Sequence, residues 1–193
     1  MSSPAKKRLQ KELQELQRDP PTGISANPHE CNIFIWDACI FGPKDTPYEN
    51  GIFKLELTFP EKFPSEPPKV KFESEMFHPN IYNVAPYRGR VCLDILKQKW
   101  SPALSISAIL VSLRSFLNDP QPHEDNPSVA PNSEAASLFL SDRRAFNRKV
   151  YKTVEKSLEQ DFGGYEWLGV NNHPQYRLNL IVMYQPNRFF LNS

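Results

Sequence analysis

Apolar residues recur along this chain first at helical spacing, then at strand spacing, then at helical spacing again. Ser3-Pro4 reads as an N-cap with proline at the first helical position, and Leu9, Leu13 and Leu16 continue one apolar face until Asp19-Pro20-Pro21 stops it. The other face carries Lys6, Lys7, Arg8 and Lys11, which suits either a solvated surface or a partner-docking surface. Between Cys31 and Ile40 the run is rich in Ile, Phe, Trp and Cys and alternates well enough for a strand, ended by Phe41-Gly42-Pro43. Gly51 to Phe59 alternates more clearly, with Phe53, Leu55, Leu57 and Phe59 opposite Lys54, Glu56 and Thr58. A proline-dense connection, Pro60 to Pro68, leads to a third strand over Lys69 to Phe72. Connections this short favour an antiparallel meander, because parallel neighbours need a long crossover.

After Trp100-Ser101-Pro102 the helical period returns: Ile106, Ile109, Leu110, Leu113, Phe116 and Leu117 form a broad stripe ended by Asn118-Asp119-Pro120, the pattern of a buried central helix. Asn132-Ser133 caps a short third helix through Leu140, and Asp142 caps a fourth carrying Phe146, Val150, Val154 and Leu158. A helix, three or more strands and then helices make an α+β fold. Phe162 to Ser193 differs in kind: Gly163-Gly164 breaks the chain, charges become few, and Tyr165, Trp167, Tyr176, Tyr184, Phe189 and Phe190 crowd in. The predicted division is a domain over residues 1–161 and an appendage over 162–193 that is too short for a core of its own. The appendage packs on the main domain, binds a partner, or stays poorly ordered.

Composition narrows the function classes. A chain of 193 residues, 39% hydrophobic with no long apolar run, buries a real core but contains no membrane-spanning segment, and no signal peptide is expected. A net charge of +1 argues against direct binding of nucleic acid or membrane, which draws on a concentrated basic surface, and leaves proteins as the expected partners. Cys31, Cys39 and Cys92 are odd in number and lack metal-ligand spacing, so no metal is expected and a reducing compartment, cytoplasmic or nuclear, fits best. The 19 prolines, many between periodic segments, point to well-defined loops.

The candidate chemistry lies between His78 and Asp94. Met76-Phe77 lead into the turn His78-Pro79-Asn80, followed by a loop too polar and too broken to be a strand, then Cys92-Leu93-Asp94. An accessible cysteine is a nucleophile, and a nearby amide can hold the oxyanion formed when it reacts. His78 and Asp94 lack the spacing of a protease triad, so the chemistry that fits is transfer from an already activated acyl donor. On residue type alone, a lone cysteine is more often a small buried hydrophobe.

Three runs together resemble the ubiquitin-conjugating enzyme family: PYENGIFKLELTFPEKFPSEPPKVKF from Pro47 to Phe72, HPNIY from His78 to Tyr82, and GRVCLDILKQKWSPALSISAIL from Gly89 to Leu110. With the opening helix, the similarity covers Met1 to about Asp161, and the opening segment and PNSEAA at Pro131 to Ala136 are most similar to the branch associated with DNA-damage tolerance and histone ubiquitylation. The resemblance implies a transferase with the family's fold: N-terminal helix, β-meander, catalytic loop, central helix and C-terminal helices. It implies that Cys92 accepts ubiquitin as a thioester from the activating enzyme and passes it to a substrate lysine, usually with a RING-type ligase and without a cofactor. Asn80 matches the family asparagine that either stabilises the oxyanion or braces the loop, and His78 and Pro79 read as scaffold. The family places an acidic or hydroxyl residue after the central helix to orient the incoming lysine; here Asp125 takes that position, with Asn126 as the alternative. Tyr82 and Asp94 match residues lining the same groove.

Contacts with ligase and activating enzyme carry over to Lys7, Arg8 and Lys11, to Ser65, and to Ser101, Pro102 and Ala103. Relatives serving many RING-type ligases carry a bulky aromatic where Ser65 stands, which implies a narrower partner choice here. Ser25 matches a back-face position that binds a second ubiquitin in some members. Two other readings are an inactive ubiquitin-binding scaffold, against which Cys92 argues, and conjugation of another modifier, against which the short connection from Leu96 to Trp100 argues. One departure falls inside the site: the run from Asn80 to Cys92 is several residues longer than usual, with Pro86, Tyr87 and Arg88 added. These residues form either a flap that brings Arg88 or Arg90 to the Cys92 thiolate, or a surface bulge; either leaves Asn80 less firmly placed against Cys92 than in relatives.

Overall fold

Helix α1 spans Pro4–Arg18, and Ser3 Oγ accepts the Lys6 N–H at its start. Ala5, Leu9, Glu12 and Leu16 are its buried positions, and Glu12 belongs there because both carboxylate oxygens are used. One takes the Arg8 Nε–H at 2.6 Å; the other takes the backbone N–H of Ile106 at 2.8 Å, at the first turn of the central helix. The computed structural model describes residues 3–122 and 126–159. Asp125 and the appendage, residues 162–193, lie outside the described residues.

Four antiparallel strands form one sheet in the order β1-β2-β3-β4: β1 Ile24–His29, β2 Asn32–Phe41, β3 Ile52–Thr58 and β4 Lys69–Phe72. Three are the strands expected from alternation. The added one, β1, carries Pro28 in a half-polar sequence, which an edge strand tolerates because one side of its backbone needs no partner. The register puts Trp36, Leu57 and Val70 in one row and Ala38, Leu55 and Phe72 in the next, all turned to the core. Ser25, Cys39 and Lys54 line up on the opposite face.

Helix α2, Ile106–Asn118, is the buried central helix, with Ser105 Oγ capping Ala108 N–H and Ile106, Ile109, Leu110, Leu113, Phe116 and Leu117 buried. Asn132 caps α3, Ser133–Ser141, and the Asp142 carboxylate accepts the Ala145 N–H at the start of α4, Arg143–Glu159. This is an α+β arrangement.

Tyr48 connects the fold to the segment of interest. Its ring is buried against Phe53, and its hydroxyl donates to the Phe77 carbonyl at 2.8 Å, just before His78. Burial pushes the phenol well above its usual ionisation range, against a smaller opposing pull from Arg143, and the hydroxyl stays a donor.

Candidate active site

The turn His78-Pro79-Asn80 is tied to three neighbouring elements. His78 is fully buried, its ring stacked on Phe116 of α2 with centroids 4.1 Å apart. Its Nδ1 accepts the Asn80 N–H at 3.0 Å, so the ring hydrogen sits on Nε2 and donates to the Phe116 carbonyl at 3.2 Å. The Pro79 carbonyl accepts the N–H of Asn132, the α3 cap, at 3.0 Å. The Asn80 side chain, 1% exposed, donates through Nδ2 to the carbonyl of Gln121, beyond the end of α2, at 2.6 Å.

From Asn80 the chain runs out and back as an irregular hairpin, although its sequence is too polar and broken for a strand. The Cys92 N–H donates to the Asn80 carbonyl at 2.9 Å, Ile81 faces Val91, and Tyr82 pairs with the returning arm through Arg90 at 3.0 Å and Gly89 at 2.7 Å. The returning arm also meets β4, where the Phe72 N–H donates to the Gly89 carbonyl at 2.8 Å. Gly89 has φ +82°, and a Cβ there would stand 2.1 Å from the Phe72 carbonyl oxygen, so only glycine permits both the turn and the approach. The residues that broke the strand pattern are confined to the tip.

The added Pro86, Tyr87 and Arg88 lie beyond the Tyr82–Gly89 bond, in a tip turned on itself by the Tyr87 N–H on the Val84 carbonyl at 3.1 Å and the Arg90 N–H on the Tyr87 carbonyl at 2.9 Å, and Cys92 stays bonded to the Asn80 carbonyl. Tyr87 packs near Tyr82, centroids 5.7 Å apart, and the Arg90 guanidinium lies 5.1 Å from the Tyr87 ring centre. The cation on the sulfur comes from elsewhere: Lys97 Nζ donates to Cys92 Sγ at 3.1 Å. A 3₁₀ turn over Asp94–Leu96 folds the chain back, with the Lys97 and Lys99 N–H groups both on the Asp94 carbonyl at 2.9 Å. Lys97 is held above its ordinary ionisation range, first by the hydrogen bond to Cys92, with smaller contributions from charge on Cys92, Tyr82 and Asp94, while burial opposes. The Asp94 carboxylate pairs with Lys99 at 3.0 Å. Cys92 itself is partly exposed, whereas Cys39 is buried in the sheet and Cys31 lies at the surface.

The chain that carries this partly exposed thiol, lysine ammonium and core-anchored asparagine is similar in sequence to known proteins. Residues 8–154 match the family described as "Ubiquitin-conjugating enzyme". The chain is 51% identical over 157 residues to "Ubiquitin-conjugating enzyme E2 3" of Arabidopsis thaliana, covering 81% of this chain and 99% of that protein. It is 50% identical over 161 residues to "Ubiquitin-conjugating enzyme E2 2" of Mycosarcoma maydis, covering 83% of this chain and 82% of the relative. The protein of that name from Saccharomyces cerevisiae is 46% identical over 161 residues, 83% of this chain and 88% of its own. The chain belongs to the ubiquitin-conjugating enzyme family.

These relatives agree with the branch named from the sequence, and family membership makes this enzyme a transferase of the ubiquitin-conjugation pathway. The three segments of this ubiquitin-conjugating enzyme expected to meet partners come together around Arg8. Its guanidinium donates to the Pro102 carbonyl at 3.0 Å and the Leu104 carbonyl at 3.1 Å, and lies 5.8 Å from the Phe63 ring centre. Trp100 Nε1–H donates to the Pro64 carbonyl at 3.0 Å, fixing the loop that presents Ser65. Lys7, Lys11, Ser65, Pro102 and Ala103 are exposed there, and Ser101 Oγ accepts the Ala103 N–H at 3.3 Å. Arg8 therefore anchors this face as well as bordering it. Ser25 is half-buried on edge strand β1. Asn126, the alternative to Asp125, uses its side-chain oxygen to cap the 3₁₀ turn Pro127–Val129 through the Ser128 N–H at 3.0 Å.

Sequence reasoning passed over Lys97, Gln121 and Glu12 of this enzyme. For Lys97 a signal existed, an ammonium five residues beyond the candidate nucleophile with a turn between them. Gln121 acts through its carbonyl, which every residue has. No described helix is long and apolar enough to cross a membrane.

Proposed function

We propose that this enzyme accepts ubiquitin from the activating enzyme as a thioester on Cys92 and passes it to a lysine of a protein substrate, with a RING-type ligase bringing the two together. The observation that carries the reading is Cys92 itself: a half-exposed sulfur 3.1 Å from a lysine ammonium, on a backbone bonded to Asn80. A thioester exchanges with a thiolate through attack and departure of sulfur, needing neither metal nor strong base. Asn80 serves first as a brace, because its amide spans the gap to Gln121. Should the loop after α2 shift when substrate binds, the same amide is released to face the oxyanion.

Tyr82 and Asp94 flank the thioester, Asp94 with its charge shared with Lys99. Asp125 orients the substrate amine, the role better suited to a carboxylate than to Asn126, whose oxygen is occupied in capping. The face of Lys7, Lys11, Ser65, Ser101, Pro102 and Ala103, anchored by Arg8, docks the activating enzyme and the ligase in turn, and small Ser65 narrows the ligases accepted. Ser25 offers a back-face contact for a second ubiquitin. Residues 1–161 act as the catalytic domain with 162–193 appended, and a reducing compartment, cytoplasm or nucleus, keeps the thiol free.

The test is charging. Mixed with activating enzyme, ATP and ubiquitin, the enzyme forms an adduct that thiol reductant removes and that Cys92→Ala lacks. Absence of such an adduct would refute the reading.

A further inference from the structure

The hairpin that carries Cys92 ends in a cationic tip. Asn83 to Arg88 are all exposed, Val84 at 57% and Tyr87 at 48%. Val91 is buried, so its neighbours Arg90 and Cys92 open to the same face, about 7 Å apart at the rise of an extended chain. Tyr82 links tip and site: it adds to the charge around Lys97 on one side and lies 5.7 Å from the Tyr87 ring on the other. The Arg90 guanidinium, 5.1 Å from the Tyr87 ring centre, is ordered by that ring without being neutralised. Among the described residues neither Arg88 nor Arg90 forms an ion pair. The carboxylates on adjoining elements are already engaged: Asp94 with Lys99 at 3.0 Å, and Glu73 with Lys71 at 2.7 Å. Glu56, in register with Lys71, accepts the Thr58 hydroxyl at 3.1 Å.

Two arginines and an exposed aromatic ring thus stand within a few residues of the nucleophile, with no anion of this chain to satisfy them. We propose that the tip selects protein substrates: Arg88 and Arg90 hold an acidic segment that lies about two to five residues from the acceptor lysine, a separation set by their own distance from Cys92. This rests on the thioester reading above and names its substrate class. Arginine suits the task, because its planar fork takes a carboxylate through two N–H groups at once. Exposed charge pairs of this kind are individually weak and screened by salt, and they form before the reaction as well as during it. Their effect therefore falls on the concentration of substrate needed, not on the rate of the chemical step. An acidic peptide fits better than a nucleic acid, because a chain of net charge +1 lacks the extended basic surface that a phosphate backbone requires.

The experiment loads the full-length enzyme, stops the activating enzyme, and follows single-turnover discharge to two synthetic peptides of equal length. Each has one lysine; one peptide carries Asp and Glu at those spacings on both sides, the other Asn and Gln in their place. The acidic peptide should half-saturate at a concentration about 3–30-fold lower, with the maximal rate unchanged, as two exposed ion pairs allow. That ratio should shrink toward one as salt rises from about 50 mM to about 500 mM. Arg88→Gln with Arg90→Gln should bring the two peptides together, while charging and discharge to the neutral peptide stay at the parent level. Equal behaviour of the peptides with the parent, a preference that survives both substitutions, or one indifferent to salt would overturn the proposal. So would a labelled single-stranded RNA that the parent retains and the double variant loses, with no preference between the peptides. Failure of the parent to form any reductant-sensitive adduct would instead overturn the thioester reading, and this proposal with it.

Discussion

Replacing Asn80 by alanine separates bracing from catalysis. The side chain is almost wholly buried, and its amide reaches the Gln121 carbonyl at 2.6 Å. Its backbone bonds, to His78 Nδ1 and from Cys92, need no side chain and survive. A neutral hydrogen bond contributes about 0.5–1.5 kcal/mol, and a carbonyl left partly desolvated adds to the loss, so ~1–2 kcal/mol is expected. For a domain of this size each kcal/mol corresponds to about 2–4 °C in Tm. Asn80→Ala should therefore melt about 2–8 °C lower, read by thermal unfolding at fixed pH. Single-turnover discharge of the loaded enzyme to free lysine reports the second role. If the amide also holds the oxyanion, discharge falls about 10² to 10³-fold, far more than loosening of one loop contact explains. A melting temperature within about 1 °C of the parent would refute the brace, since a buried bond of that length cannot vanish without cost.

Gly89→Ala should detach the hairpin from β4, because its φ of +82° and the 2.1 Å approach to the Phe72 carbonyl leave no room for a methyl group. A loss of at least ~1 kcal/mol in urea unfolding, with faster amide exchange at Phe72, is expected. Deleting Ala85 to Arg88 removes the tip beyond the Tyr82–Gly89 bond and should leave charging within about threefold of the parent, as loop-tip changes usually do; a larger loss would make the tip a working flap. Tyr48→Phe should flatten the alkaline side of the stability profile. The folded phenol ionises well above 10.0, so its contribution is complete below that pH and is lost as pH rises through the folded value, because the unfolded chain ionises first. Above pH 10 this single group lowers stability by up to about 1.4 kcal/mol per pH unit, and an unchanged urea-midpoint slope in Tyr48→Phe would count against it.

The sequence by itself determined most of the elements and the candidate nucleophile. Period and caps marked α1, α2, α3 and α4, because amphipathic spacing and local capping act within a few residues. Three strands were legible for the same reason, and β1 was not, since an edge strand with Pro28 lacks the alternation that burial on a sheet face enforces. The resemblance named Cys92 and Asn80 because motif spacing is itself a property of the chain. What only the tertiary structure decided were the contacts between residues distant along the chain: Asn80 on Gln121, Arg8 on the loop after Trp100, Glu12 on the first turn of α2. Tertiary structure likewise carried the extra length before Cys92 to a hairpin tip and brought Lys97 back over the sulfur. Lys97 left a trace in its spacing from Cys92, but the other contacts run to backbone groups chosen by packing, and any residue type can supply a carbonyl; the chain's own order therefore carries no mark of where those meet.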